Sequence, residues 1–125
     1  MFWNKSKTED TSTAYIDWQL LNTAEGIEAI KEKSTEKPQV IFKHSTRCSI
    51  SSMAKRRLER NWNIDESKVD IYYLDLIAYR SISNLVSSDF GVTHQSPQIL
   101  IIKNKEAVFH TSHNDISVEV IEENI

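Results

Sequence analysis

The stretch Val40-Ile41-Phe42-Lys43-His44-Ser45-Thr46-Arg47-Cys48-Ser49-Ile50-Ser51-Ser52-Met53 decides how this chain is read. Its apolar start, Val40-Ile41-Phe42, predicts a buried strand. A short polar loop follows. Ile50, Met53, Ala54, Leu58 and Trp62 then recur at helical spacing, which predicts an amphipathic helix over 49–61. Cys48, the only cysteine in the chain, stands at the mouth of that helix. A thiol there meets unsatisfied backbone N–H groups and the positive end of the helix dipole. Both favour the thiolate, which is the reactive form. The functional reading is a nucleophilic cysteine; the bland one is a buried free cysteine acting as a small hydrophobe.

Length and composition narrow the class. A chain of 125 residues suits one domain and buries enough surface to need no disulfide or structural metal. A net charge of −3 gives no reason to expect nucleic acid or an anionic membrane as partner. One cysteine makes no internal disulfide, which favours a reducing compartment. The start lacks the apolar core of a signal peptide, and no apolar run has the length of a membrane span. The expected location is the cytoplasm. Residues 1–14 read as a flexible N-terminal lead, with Phe2 and Trp3 able to dock on the domain. Residues 15–125 read as a single domain.

Working outward from the central stretch, Tyr15 to Leu20 predicts a short strand. Asn22 with Glu25 resembles a helix cap and its reciprocal carboxylate, opening a helix that ends by Ser34. Val69 to Leu74 predicts a strand. Ala78, Tyr79, Ile82, Leu85, Val86 and Phe90 mark a helix closed near Gly91. Ile99 to Ile102 reads as a strand buried on both faces, and Ala107 to Thr111 as its hairpin partner. A last helix is expected between Asp115 and Ile125. Alternating strands and helices imply an α/β domain with a mostly parallel central sheet. The final hairpin adds an antiparallel edge strand and makes the sheet mixed.

An apolar strand running into a lone cysteine, a helix directly after it, Ser96-Pro97 before a second apolar strand, and a closing hairpin and helix resemble a thioredoxin fold. The match narrows further. Phe42 to Ser51 resembles the Lys-His-Ser-Thr-x-Cys-Pro-Ile-Ser stretch of the bacillithiol-system YtxJ family, the monothiol bacilliredoxins. Tyr79-Arg80-Ser81-Ile82-Ser83-Asn84, His94-Gln95-Ser96-Pro97-Gln98 and Ser112-His113-Asn114-Asp115-Ile116 are similar to three further segments of that family. The resemblance covers about residues 15–125. One departure stands out: Ser49 occupies the family's proline position, which leaves the first helical turn less constrained.

The resemblance implies a cis Pro97 close to Cys48, and Cys48 as nucleophile. Arg47, Thr46, Ser49 and Ser51 are the residues expected to tune the thiol. Ser51 stands where dithiol relatives keep a resolving cysteine. A serine cannot resolve a mixed disulfide, so the route implied is monothiol. Ser96 and Pro97 would cradle the substrate, with Arg80 and His44 beside them. Bacillithiol carries a malate group with two carboxylates, for which Arg47 and Arg80 are better placed than Lys43 or Arg56; the Lys55 to Arg60 face reads as solvated. No cofactor is expected beyond bacillithiol or a similar small thiol as co-substrate. The partners implied are S-thiolated client proteins and a low-molecular-weight thiol, met by a monomer, with no nucleic acid and no membrane. With one cysteine and no histidine cluster, no metal site is expected. The phosphatase loop Cys-x5-Arg is absent, because Ala54 holds its arginine position. The competing functions are a non-catalytic thioredoxin-fold adaptor and a thiol redox sensor.

Overall fold

The structure is a computed structural model that describes residues 16–125; the N-terminal lead and Tyr15 lie outside the described residues. In chain order the elements are β1 (Gln19–Leu20), α1 (Ala24–Lys33), β2 (Gln39–His44), α2 (Ser49–Asn61), β3 (Asp70–Asp75), α3 (Arg80–Phe90), β4 (Gln98–Lys103), β5 (Glu106–Ser112), a 3-10 turn (His113–Asp115) and α4 (Val118–Asn124). The strands form one mixed sheet in the order β1-β3-β2-β4-β5.

β2 is the central strand, and every one of its residues is buried. Its pleat sends alternate side chains to opposite faces. Val40 and Phe42 join Ala54, Leu58, Val118 and Ile121 in one apolar layer, beneath α2 and α4. Ile41 joins Ile27, Ile30 and Val86 in the other, beneath α1 and α3. A strand covered on both faces must be apolar throughout, which is why it reads as a continuous run.

Several sequence expectations need correction. β3 runs parallel to both β1 and β2, but β4 is antiparallel to β2, so the antiparallel part of the sheet is β4 and β5 together. The reason lies in residues 91–97. Gln98 pairs with Lys43 at the C-terminal end of β2, so this connection carries the chain back to that end before β4 starts. Seven residues can span about 23 Å, more than the roughly 16 Å length of α3. The first strand is only Gln19–Leu20; Trp18 lies outside it and stacks on Phe42 at 5.6 Å. The α1 cap is Thr23, whose hydroxyl accepts the Gly26 N–H, and not Asn22. Three residues after Thr23 stands Gly26, so there is no reciprocal carboxylate. The last helix starts at Val118, capped by Ser117, after the 3-10 turn.

α2 spans Ser49–Asn61, but its buried stripe is Ser51, Ala54 and Leu58. Ile50 and Met53 are exposed at 49% and 56%, on the turn that follows Cys48. The apolar count there overstated the buried face because it ignored Ser51. α3 closes at Gly91, whose φ of 64° is the left-handed conformation that glycine adopts without cost. Among the described residues no helix is long and apolar enough to cross a membrane.

Candidate functional site

β2 ends at His44, and the next four residues form a tight turn in which Cys48 N–H donates to the Ser45 carbonyl at 3.2 Å. Arg47 N–H donates to Ser45 Oγ at 3.3 Å. The turn delivers Cys48 to the N-cap of α2 with extended backbone, φ −112° and ψ 122°. Cys48 is free and half-buried. A sulfur therefore occupies the position where the oxygen of Ser, Thr or Asp ordinarily receives first-turn N–H groups. No acidic side chain stands in that first turn.

The residues named around the thiol separate into outer and inner groups. Thr46, Arg47 and Ser49 are exposed. Ser51 is completely buried and faces away from solvent. Its hydroxyl accepts the Ser45 N–H at 3.0 Å and lies 2.8 Å from His44 Nδ1. Burial, then the nearby Lys55, lower the proton affinity of His44, against the opposing pull of Asp75. A neutral ring with Nδ1 as acceptor lets Ser51 donate to it while accepting from Ser45. Ser51 thus braces the thiol turn from below, with its hydroxyl held against His44 Nδ1. The imidazole in turn packs 5.7 Å from Phe42 and 5.4 Å from Tyr73.

The second wall comes from the loop before β4. The Ser96–Pro97 peptide is cis. Pro97 is buried, and its carbonyl accepts the His113 N–H at 3.1 Å. Ser96 Oγ is buried with no partner among the described residues. The pairing of Lys43 with Gln98 sets this loop beside the end of β2, where the Cys48 turn begins. Gln98 braces the loop, donating to Thr93 O at 3.0 Å. Arg80 is exposed at the start of α3, which packs on the opposite face of the sheet from α2.

Three contacts escaped the sequence reading. Lys43 does not reach solvent: it is fully buried, with Nζ 2.9 Å from Ser87 Oγ and 3.3 Å from His94 Nδ1. Its place between Phe42 and His44 in an apolar strand was the available signal. Arg57 is not on a solvated face; it donates to Ile116 O at 3.0 Å and His113 O at 3.3 Å, tying α2 to the segment that also holds Pro97. Lys55 pairs with Glu59 at 2.7 Å, and Glu59 also accepts from Trp18 Nε1. An open groove of about 250 Å³ runs beside α2, lined by His44, Ser52, Lys55, Arg56, Glu59 and Tyr73. Among the described residues no three His, Cys, Asp or Glu side chains converge as metal ligands.

A family model described as monothiol bacilliredoxin BrxC matches residues 19–121. A solved protein described as a candidate oxidoreductase with a thioredoxin fold shares 28% identity, with a TM-score of 0.72 over 84% of this chain and 90% of its own. Thioredoxin from Malassezia sympodialis superposes with a TM-score of 0.69 at 16% identity, covering 88% of this chain and 89% of its own. Thioredoxin from Trypanosoma brucei brucei gives 0.68 at 13% identity, covering 90% and 91%. The last two likenesses establish the thioredoxin fold alone.

Proposed function

Because this chain belongs to the monothiol bacilliredoxin family BrxC, with the thiol redox role of that family, we propose that it strips a low-molecular-weight thiol, bacillithiol, from mixed disulfides on client proteins. One observation carries the monothiol route: the lone cysteine stands at the N-cap position of α2, and the residue three positions on is a serine whose hydroxyl is turned inward to His44.

The chemistry runs in two exchanges. The Cys48 thiolate attacks the small-thiol sulfur of the mixed disulfide. A new S–S bond joins Cys48 to the small thiol, the old one breaks, and the client cysteine leaves as a thiolate that takes a proton from solvent. No second cysteine in this chain can resolve the product. The thiolate of a second small-thiol molecule attacks the sulfur held on Cys48. That releases the Cys48 thiolate and a symmetrical small-thiol disulfide, so electrons and atoms balance. Cys48 presents its sulfur at the N-terminal end of α2. Ser96 and Pro97 support the bound small thiol from the facing loop, and exposed Ile50 and Met53 offer the client an apolar landing.

The test is release. A bacillithiol-blocked client protein incubated with the chain and free bacillithiol regains its free thiol, counted with a thiol-specific dye. Cys48→Ala leaves the client blocked. Equal release by wild type and Cys48→Ala would remove the proposal.

A further inference from the structure

Lys43 poses an electrostatic problem. Its ammonium is fully buried, yet its hydrogen-bond partners are the neutral Ser87 and His94. None of the ion pairs among the described residues involves it. A buried charge is costly unless it is paired. Burial alone brings the Lys43 amine down to about 8.

The neighbours add positive charge and supply none of the missing negative charge. An ammonium donates and cannot accept, so His94 Nδ1 is the acceptor and the ring proton sits on Nε2. That leaves an N–H donor on the far side of a half-exposed ring. Burial, then Lys43, then Arg80 depress the proton affinity of His94. Arg80, Ser83 and Ser87 recur at helical spacing on one stripe of α3, and the Ser87 bond fixes that stripe toward Lys43. Ser83 is fully buried on this stripe, and its hydroxyl has no partner among the described residues. Buried hydroxyls are seldom left so.

We propose that Arg80, His94, Lys43 and Ser83 form a carboxylate-binding subsite at the start of α3, and that it receives the acidic group of the small thiol. The assignment of the ligand rests on the bacillithiol reading. The placement suits it: Lys43 is the next-to-last residue of β2, and His94 lies three residues before the cis Pro97. A carboxylate there accepts from His94 Nε2–H and the Arg80 guanidinium, with the Lys43 charge behind it.

L-malate is the probe, because it carries the acidic group without a thiol. Its binding is therefore read independently of whether Cys48 exchanges any disulfide, and a failure of the client-release assay leaves this measurement intact. The full chain is titrated with L-malate near pH 7 while the His94 ring protons, assigned with His94→Gln, are followed by NMR. The expected result is a saturable shift at His94 and at the Ser83 amide. Arg80→Gln and, separately, Lys43→Met weaken binding by about tenfold, the loss of one charge-assisted contact. Arg60→Gln, on the exposed end of α2, binds as the wild type does. If Lys43→Met does not fold, Arg80→Gln decides, since its side chain is exposed. No saturable shift at His94, or unchanged binding in Arg80→Gln, overturns the subsite.

Discussion

At the residue scale, two buried polar side chains set the character of the thiol end. Ser51 holds the turn that presents Cys48, through Ser45 N–H and His44 Nδ1. Ser51→Ala leaves both groups buried and unpaired and costs about 1–3 kcal/mol, read as a lowered urea midpoint with unchanged slope. A midpoint within error of wild type would remove the bracing role. Lys43 gives a pH signature. In the unfolded chain its amine titrates near 10.5 and in the folded chain near 8. Between those values the unfolded state binds more protons, so stability rises with pH. The charged form is buried at a cost below pH 8, and the cost disappears as pH climbs toward 10.5. Lys43→Met escapes it throughout. Its advantage over wild type is therefore greatest near pH 7.5 and shrinks by about 3 kcal/mol by pH 10.5. Urea melts of the two proteins at both pH values check this, and a gap independent of pH contradicts it. Neither residue's role was legible from sequence. Ser51 read as a thiol-tuning residue or a plain first-turn serine, and Lys43 as one of four cations able to meet a carboxylate, because a one-dimensional pattern does not say which polar side chain in an apolar setting finds a partner across the fold.

At the element scale, α2 is the part that positions the chemistry. Its boundaries were legible, since the apolar spacing and the lone cysteine agree on where it starts. Its buried face was not, because Ser51 fills a core position while Ile50 and Met53 are exposed. Leu58 is wholly buried in the layer it shares with Phe42 and Ile121. Leu58→Ala is expected to cost about 2–5 kcal/mol, measured by chemical denaturation. Arg57 links α2 to Ile116 and His113, and His113 reaches Pro97. Arg57→Gln should loosen that chain of contacts. Hydrogen exchange at the His113 amide reports it: faster exchange is expected in the variant, and unchanged protection would disconnect α2 from the facing loop. This link eluded the sequence because arginines on a charged helix face look alike until tertiary structure puts carbonyl oxygens in front of one of them.

At the scale of the whole molecule, the fold brings two segments fifty residues apart to one end of the sheet. That is the consequence of β4 running against β2, with Lys43 opposite Gln98. Strand and helix alternation alone suggested a parallel entry for β4. The resemblance to a thioredoxin fold carried the mixed topology where periodicity did not. The apolar runs Val40 to Phe42 and Ile99 to Ile102 were legible as buried strands because both sheet faces are covered by helices. In the proposed route Cys48 alone takes up and holds the small thiol. Intact-mass spectrometry after mixing the chain with bacillithiol disulfide reads that step. One adduct per chain is expected, mapped to Cys48, absent from Cys48→Ala and removed by added bacillithiol. An unmodified wild-type chain, or an adduct that added bacillithiol does not release, would contradict it.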